Sequence, residues 1–160
     1  LAVVQGAAYG GALGLISCCD MAIGTPDSQF CLSEVRIGLT PAVISPFVVK
    51  AIGERAMRRY ALSAERFSGE TARELGLLAE CHPAAELEAE VQRWTDNLLL
   101  NSPAALRSTK ALLREVKHGE LSPALRRYTE EAIARIRVSP EGQEGLKAFL
   151  EKRPPRWQQS

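Results

Sequence analysis

Two short stretches carry residues suited to chemistry. The first, "QGAAYGGALGLISCCD", spans residues 5–20 and has glycines at 6, 10, 11 and 14. Gly10-Gly11 at the head of a short helix would present backbone N–H groups at the positive end of the helix dipole. Glycine also lets a ligand come close to the backbone, so this turn suits a developing negative charge such as a thioester oxyanion. A tight turn with close helix packing is the plainer role for the same glycines. The second stretch, "FCLSEVRIGLTPAVISPFV", spans residues 30–48 and sets Glu34 between apolar Leu32 and Val35. A carboxylate so placed should be partly desolvated and able to exchange a proton; the other roles open to it are a helix cap or an ion pair with Arg36.

The remaining reactive side chains form no pattern. Cys18, Cys19, Cys31 and Cys81 have neither the paired spacing of a zinc site nor that of a secreted disulfide framework, which points to a reduced, cytoplasmic protein. His82 and His118 stand far apart without a ligand motif, so no metal is expected and both read as surface or cap residues. Twenty Lys and Arg against nineteen Asp and Glu give a formal net charge of +1, which excludes a global field for nucleic acid or an anionic membrane. Residues 1–19 are uncharged, but four glycines with Gln5, Tyr9 and Ser17 make a poor hydrocarbon span, and no basic segment precedes them as in a signal peptide. The sequence starts at Leu1, and the chain reads as a piece cut from a longer protein.

The elements that must position these residues follow from local pattern. Residues 1–4 and 21–23 read as buried strands around a helix at 11–19, a βαβ-like unit, with a further extended segment at 29–32. Beyond Pro46, Phe47, Lys50, Ala51 and Arg55 have helical spacing broken by Gly53. "SGETARELGLLAE" offers Ser68 as N-cap and Gly76 as a stop, before a strand at 77–81. After Pro83 the pattern is helical, with Leu87, Val91, Trp94 and Leu98 as an amphipathic stripe. Ser102-Pro103, Ser122-Pro123 and Ser139-Pro140 each pair a capping hydroxyl with a first-turn proline and mark helix starts. Leu113, Val116, Leu125 and Ile133 are expected to face another helix or subunit.

Taken in order, these segments resemble the enoyl-CoA hydratase/isomerase (crotonase) family. That family has "NG-x-A-x-GGG", a short helix, "CD", a strand, "F-x-x-x-E-x-x-x-G-x-x-P" and a helix containing "IG". Here these are "QGAAYGGA", Cys19-Asp20, the run from Phe30 through Glu34 and Gly38 to Pro41, and Ile52-Gly53. "RFSGETARELGLLAE" and the ending "GLKAFLEKRP" extend the resemblance over nearly all 160 residues. It implies an α/β fold: the C-terminal half only of a crotonase-like ββα spiral core at 1–102, then an α-helical trimerisation region at 103–160. Gly11 matches the glycine whose N–H forms half of the oxyanion hole, and Glu34 the glutamate that acts as acid or base. Phe149 and Lys152 match residues bordering the coenzyme A adenosine of a neighbouring subunit. The partners implied are an acyl-CoA substrate and further copies in a homotrimer or dimer of trimers, with no nucleic acid, membrane, metal or separate cofactor.

Two departures stand out. Many hydratases carry a second catalytic glutamate where this chain has Gly14, and the other oxyanion N–H and the adenine-gripping loop would lie upstream of Leu1. Gly14 together with "SEVRIGLTPAVISPFVVKAIGERAMRRYAL" resembles bacterial methylglutaconyl-CoA and isohexenylglutaconyl-CoA hydratases of leucine and acyclic-terpene breakdown, more closely the terpene member. Their substrates carry an acyl carboxylate, for which Arg36, Arg58 and Arg59 are candidates. The activity expected is hydration of an α,β-unsaturated acyl-CoA, absent from these 160 residues alone. An enoyl-CoA isomerase and a non-catalytic CoA-binding subunit are the alternatives.

Overall fold

The structure, a computed structural model, describes residues 1–117 and 120–158. His118, read from the sequence as a surface or cap residue, lies outside the described residues.

The uncharged opening run folds as two strands and a helix: β1 (Ala2–Val4), β2 (Ala7–Tyr9) and α1 (Gly11–Cys18). Then follow β3 (Ala22–Gly24), β4 (Gln29–Cys31), a 3-10 turn (Glu34–Ile37) and α2 (Ser45–Ser63), which is kinked at Gly53. β5 (Phe67–Ser68), α3 (Gly69–Glu74), β6 (Glu80–Cys81) and α4 (Ala84–Leu99) come next. The last helices are α5 (Pro103–Val116), α6 (Pro123–Arg137) and α7 (Pro140–Leu150).

β1 and β3 pair in parallel, Ala2 beside Ala22, and β6 extends this sheet from β3. Parallel neighbours need a crossover, and the segment through β2 and α1 supplies it. The second sheet has β4 in its centre, parallel to β2 and antiparallel to β5. Residues 7–9, to which the sequence pattern assigned no element, form β2, because pairing with β4 outweighs the weak strand propensity of Ala7-Ala8. The strand expected at 77–81 is confined to Glu80–Cys81. Leu77 and Leu78 are buried, with both N–H groups bonded to the Ala72 carbonyl as the chain leaves α3.

The core lies where these sheets meet α1 and α2. Phe30, Leu13, Leu32, Val48 and Leu78 are fully buried in it. The rings of Phe30 and Phe67, opposite each other in the β4–β5 ladder, stack with centroids 5.4 Å apart, and Tyr60 packs on Phe67 at 4.3 Å. Aromatic contacts of this kind add about 0.5–1.5 kcal/mol beyond area burial.

Two compact units result, Leu1–Gln92 and Arg93–Ser160. In the second, Ser102, Ser122 and Ser139 accept hydrogen bonds from the N–H groups of Ala105, Leu125 and Gly142 at 3.0–3.1 Å, the capping role their Ser-Pro pairs predict. α5 and α6 bury no residue within the chain, and Leu113 and Ile133 are 58% and 64% exposed. Among the described residues no helix is long and apolar enough to cross a membrane.

Candidate active site

β2 enters α1 through Gly10, whose φ of 52° and ψ of −119° lie where a Cβ is strongly disfavoured. The Gly10 N–H donates to the Cys31 carbonyl at 3.0 Å, fastening the turn to the end of β4, and its own carbonyl accepts from Leu13 N–H. α1 therefore begins at Gly11 with no capping side chain and no acidic residue in its first turn. Among the described residues nothing accepts a hydrogen bond from the Gly11 N–H. A bare helix start of this kind favours negative charge.

β4 brings Glu34 to the same place. The chain leaves Cys31 and closes the 3-10 turn at Gly38, whose N–H donates back to the Glu34 and Val35 carbonyls. Glu34 Oε1 lies 3.3 Å from where a Cβ on Gly10 would stand. Its Oε2 is buried without a hydrogen-bond partner among the described residues. A buried polar oxygen left unpaired costs about 1–3 kcal/mol, more when charged.

The Glu34–Arg36 ion pair that the sequence left open does not form. The Arg36 guanidinium donates instead to the Ala64 carbonyl at 2.7 Å, beside Cys31 Sγ, which donates to the same oxygen at 3.3 Å. This ties the 3-10 turn to the end of α2. Nor is Glu34 a cap, since neither oxygen accepts a backbone N–H among the described hydrogen bonds. Arg58 pairs with Glu54 at 2.6 Å and Arg59 with Glu65 at 2.6 Å, so these two candidates for an acyl carboxylate also have partners.

Gly14 sits on the buried side of α1 against Ile44, which leads into α2. A Cβ at residue 14 would overlap Ile44 Cγ2 and stand 2.7 Å from Ile44 Cβ. Ile44 thus occupies the space that a side chain at residue 14 would need, a role that its sequence position gave no sign of. Phe149 and Lys152 belong to the second unit, at the exposed end of α7, with Phe149 81% exposed.

His82, expected at the surface, is half-buried, and its Nε2 lies 3.0 Å from Glu80 Oε2. With Glu90 the two bring their ligand atoms within 4.8 Å of one another, but this hydrogen bond and further interactions of both glutamates account for the cluster as a polar network. All four cysteines are free: Cys18 and Cys19 exposed, Cys31 buried, Cys81 half-buried with its thiol pKa pushed up by burial.

A carboxylate with a free buried oxygen beside a bare helix start can move a proton next to a group that is gaining negative charge. Residues 1–160 match the family described as enoyl-CoA hydratase/isomerase. The crystal structure of an enoyl-CoA hydratase from Shewanella pealeana superposes with a TM-score of 0.92 at 52% identity, covering 97% of this chain and 58% of that one. AtuE of Pseudomonas aeruginosa gives 0.92 at 41% identity, over 98% of this chain and 60% of that one. An enoyl-CoA hydratase of Alternaria alternata is 32% identical over 167 residues, 100% of this chain and 54% of the relative. The chain spans between 54% and 60% of the length of these three proteins.

Proposed function

The chain belongs to the enoyl-CoA hydratase/isomerase family, and from that premise we propose that it carries the proton-transfer half of a site that hydrates an α,β-unsaturated acyl-CoA. The Gly11 N–H receives the thioester oxygen together with a second N–H from a segment preceding Leu1. Water gives its hydroxide to the β-carbon and its proton to Glu34, electrons move onto the thioester as an enolate, and the same carboxyl then protonates the α-carbon. One carboxylate suffices because the proton taken is the proton returned. The observation that carries this reading is the buried, unpartnered Oε2 of Glu34 beside the Gly10-Gly11 turn.

The finer substrate is a branched glutaconyl-type CoA of terpene or leucine catabolism. Support comes from Gly14 with the run at 33–62, and from Ile44 filling the room at residue 14. The reaction needs no group beyond the coenzyme A of the substrate. The protein assembles as a trimer or a pair of trimers through its C-terminal helices, a reading supported by the exposed apolar side chains of α5 and α6. Phe149 and Lys152 then border the adenosine of a neighbouring subunit, and the free cysteines suit a cytoplasmic enzyme. The single carboxylate also fits an enoyl-CoA isomerase, and a 3-enoyl substrate separates the two activities.

The test is Glu34→Gln in the full-length protein. Gln keeps the volume but cannot carry the proton. Hydration is expected to fall by about 100-fold or more, the scale for loss of a general acid or base, with thioester binding retained. Turnover near wild type would remove Glu34 from the chemistry.

A further inference from the structure

Tyr9 ends β2 beside Cys31 in the parallel ladder, and Arg66 stands one step before Phe67, which pairs with Phe30. Successive strand residues face opposite sides of a sheet, so Tyr9 and Arg66 lie on the side away from the buried Phe30–Phe67 stack. There the Arg66 guanidinium carbon lies 5.5 Å from the centroid of the Tyr9 ring. A guanidinium held over an aromatic face keeps its in-plane N–H fork free for a carboxylate or phosphate, and the stacking limits its freedom beforehand.

Its neighbours make this cation distinctive. Arg36, Arg58 and Arg59 have the partners described above. Arg66 is exposed and has no ion pair among the described residues. Tyr9 directly precedes Gly10, and two peptide units keep the Cα atoms of Tyr9 and Gly11 within about 7.6 Å of each other. The cation is therefore seated on the side chain of the residue that leads directly into the Gly10-Gly11 turn.

We propose that Arg66, seated on Tyr9, receives the distal carboxylate of the acyl chain and so selects dicarboxylic acyl-CoA substrates. The inference rests on the acyl-CoA reading above and replaces the three arginines that the sequence offered for this task. A phosphate of the coenzyme A moiety presents the same anionic oxygens and is the competing source.

The experiment compares glutaconyl-CoA, whose acyl chain ends in a carboxylate, with crotonyl-CoA, whose chain does not. Dissociation constants and kcat/KM are measured on full-length wild type, Arg66→Met, Arg66→Lys and Tyr9→Leu. Arg66→Met is expected to lose about 10–100-fold in kcat/KM for glutaconyl-CoA through KM, the scale of one charge-assisted hydrogen bond, with crotonyl-CoA unchanged. Arg66→Lys should recover part of that loss, and Tyr9→Leu should show a smaller loss of the same selectivity. An equal loss on both thioesters assigns the anion to coenzyme A and overturns the carboxylate assignment; no loss on either overturns the proposal. If wild type turns over neither thioester, the hydratase reading fails, while the binding constants still decide the role of Arg66.

Discussion

A methyl group at residue 14 probes the packing of α1 against Ile44. The Cβ of Gly14→Ala would stand 2.7 Å from Ile44 Cβ and overlap Cγ2, while Ile44 Cα lies at an ordinary 3.7 Å. Carbon atoms rest about 3.5–4.0 Å apart, so the Ile44 side chain must retreat by about 1 Å. Rotating χ1 moves Cγ2 but leaves Cβ where it is, so the backbone before α2 must yield as well. Overpacking of this kind costs about 1–3 kcal/mol, and replacing a helix-interior glycine by alanine returns about 1 kcal/mol, for a net destabilisation of about 1 kcal/mol.

Ile44→Gly alone removes a half-buried aliphatic side chain and should cost about 3 kcal/mol. In the double variant both overlapping atoms are gone and the new methyl occupies part of the freed space. The cost should then be about 2 kcal/mol, a coupling of about 2 kcal/mol between the two sites. Urea unfolding at fixed protein concentration measures all four corners of the cycle. Additivity within about 0.5 kcal/mol would refute the argument that Ile44 fills the place of a residue-14 side chain. The same obstacle faces Gly14→Glu, which should fold well only when combined with Ile44→Gly.

Three further outcomes are expected. Gly10→Ala places a Cβ in a disfavoured backbone region, 3.3 Å from Glu34 Oε1, and should cost about 1–3 kcal/mol of strain and at least about 10-fold in kcat, read from melting curves and initial rates. The Glu141 carboxylate accepts from Ser102 Oγ at 2.5 Å and Ala104 N–H at 2.9 Å, which holds its pKa below the ordinary 4.5. Its contribution is complete above pH about 4.5 and is lost as pH falls through the lower folded value, so Glu141→Gln should flatten the acid limb of stability in a urea series from pH 6 to 3. N-ethylmaleimide with mass spectrometry should label Cys18 and Cys19 first and Cys31 only on unfolding, with Cys81 needing more alkaline pH than an ordinary thiol.

What the sequence made legible was set by neighbours along the chain. A hydroxyl followed by proline caps a helix whatever lies around it, and Ser102, Ser122 and Ser139 all do so. Ser68 caps α3 and Gly76 takes a positive φ of 82° after it for the same local reasons. What stayed hidden depends on residues distant in sequence. β2 exists because β4 pairs with it, and the alanines at 7 and 8 carry no strand signal of their own. Arg36, two residues from Glu34, is close enough in sequence to pair with it, but the carbonyl that claims it belongs to Ala64. Ile44 over Gly14 and Arg66 on Tyr9 are likewise fixed only when strands and helices assemble, although the residues were all in view.

The Arg36 contact bears on how an unpaired carboxylate survives in a folded protein. An arginine bonded to Glu34 would satisfy Oε2, and would also occupy the oxygen that the proposed proton transfer needs free. Here the guanidinium is turned onto the Ala64 carbonyl, where it fastens the 3-10 turn to α2 and leaves the carboxylate alone. The cost of the orphaned oxygen is then carried by the frame around it: the Gly10 N–H on Cys31, the Gly38 closure of the turn, and the two donors that converge on Ala64. Each of those bonds holds backbone rather than the carboxylate. Glu34 is thereby kept in place without a partner of its own among the described residues, the condition that the proposed proton transfer requires.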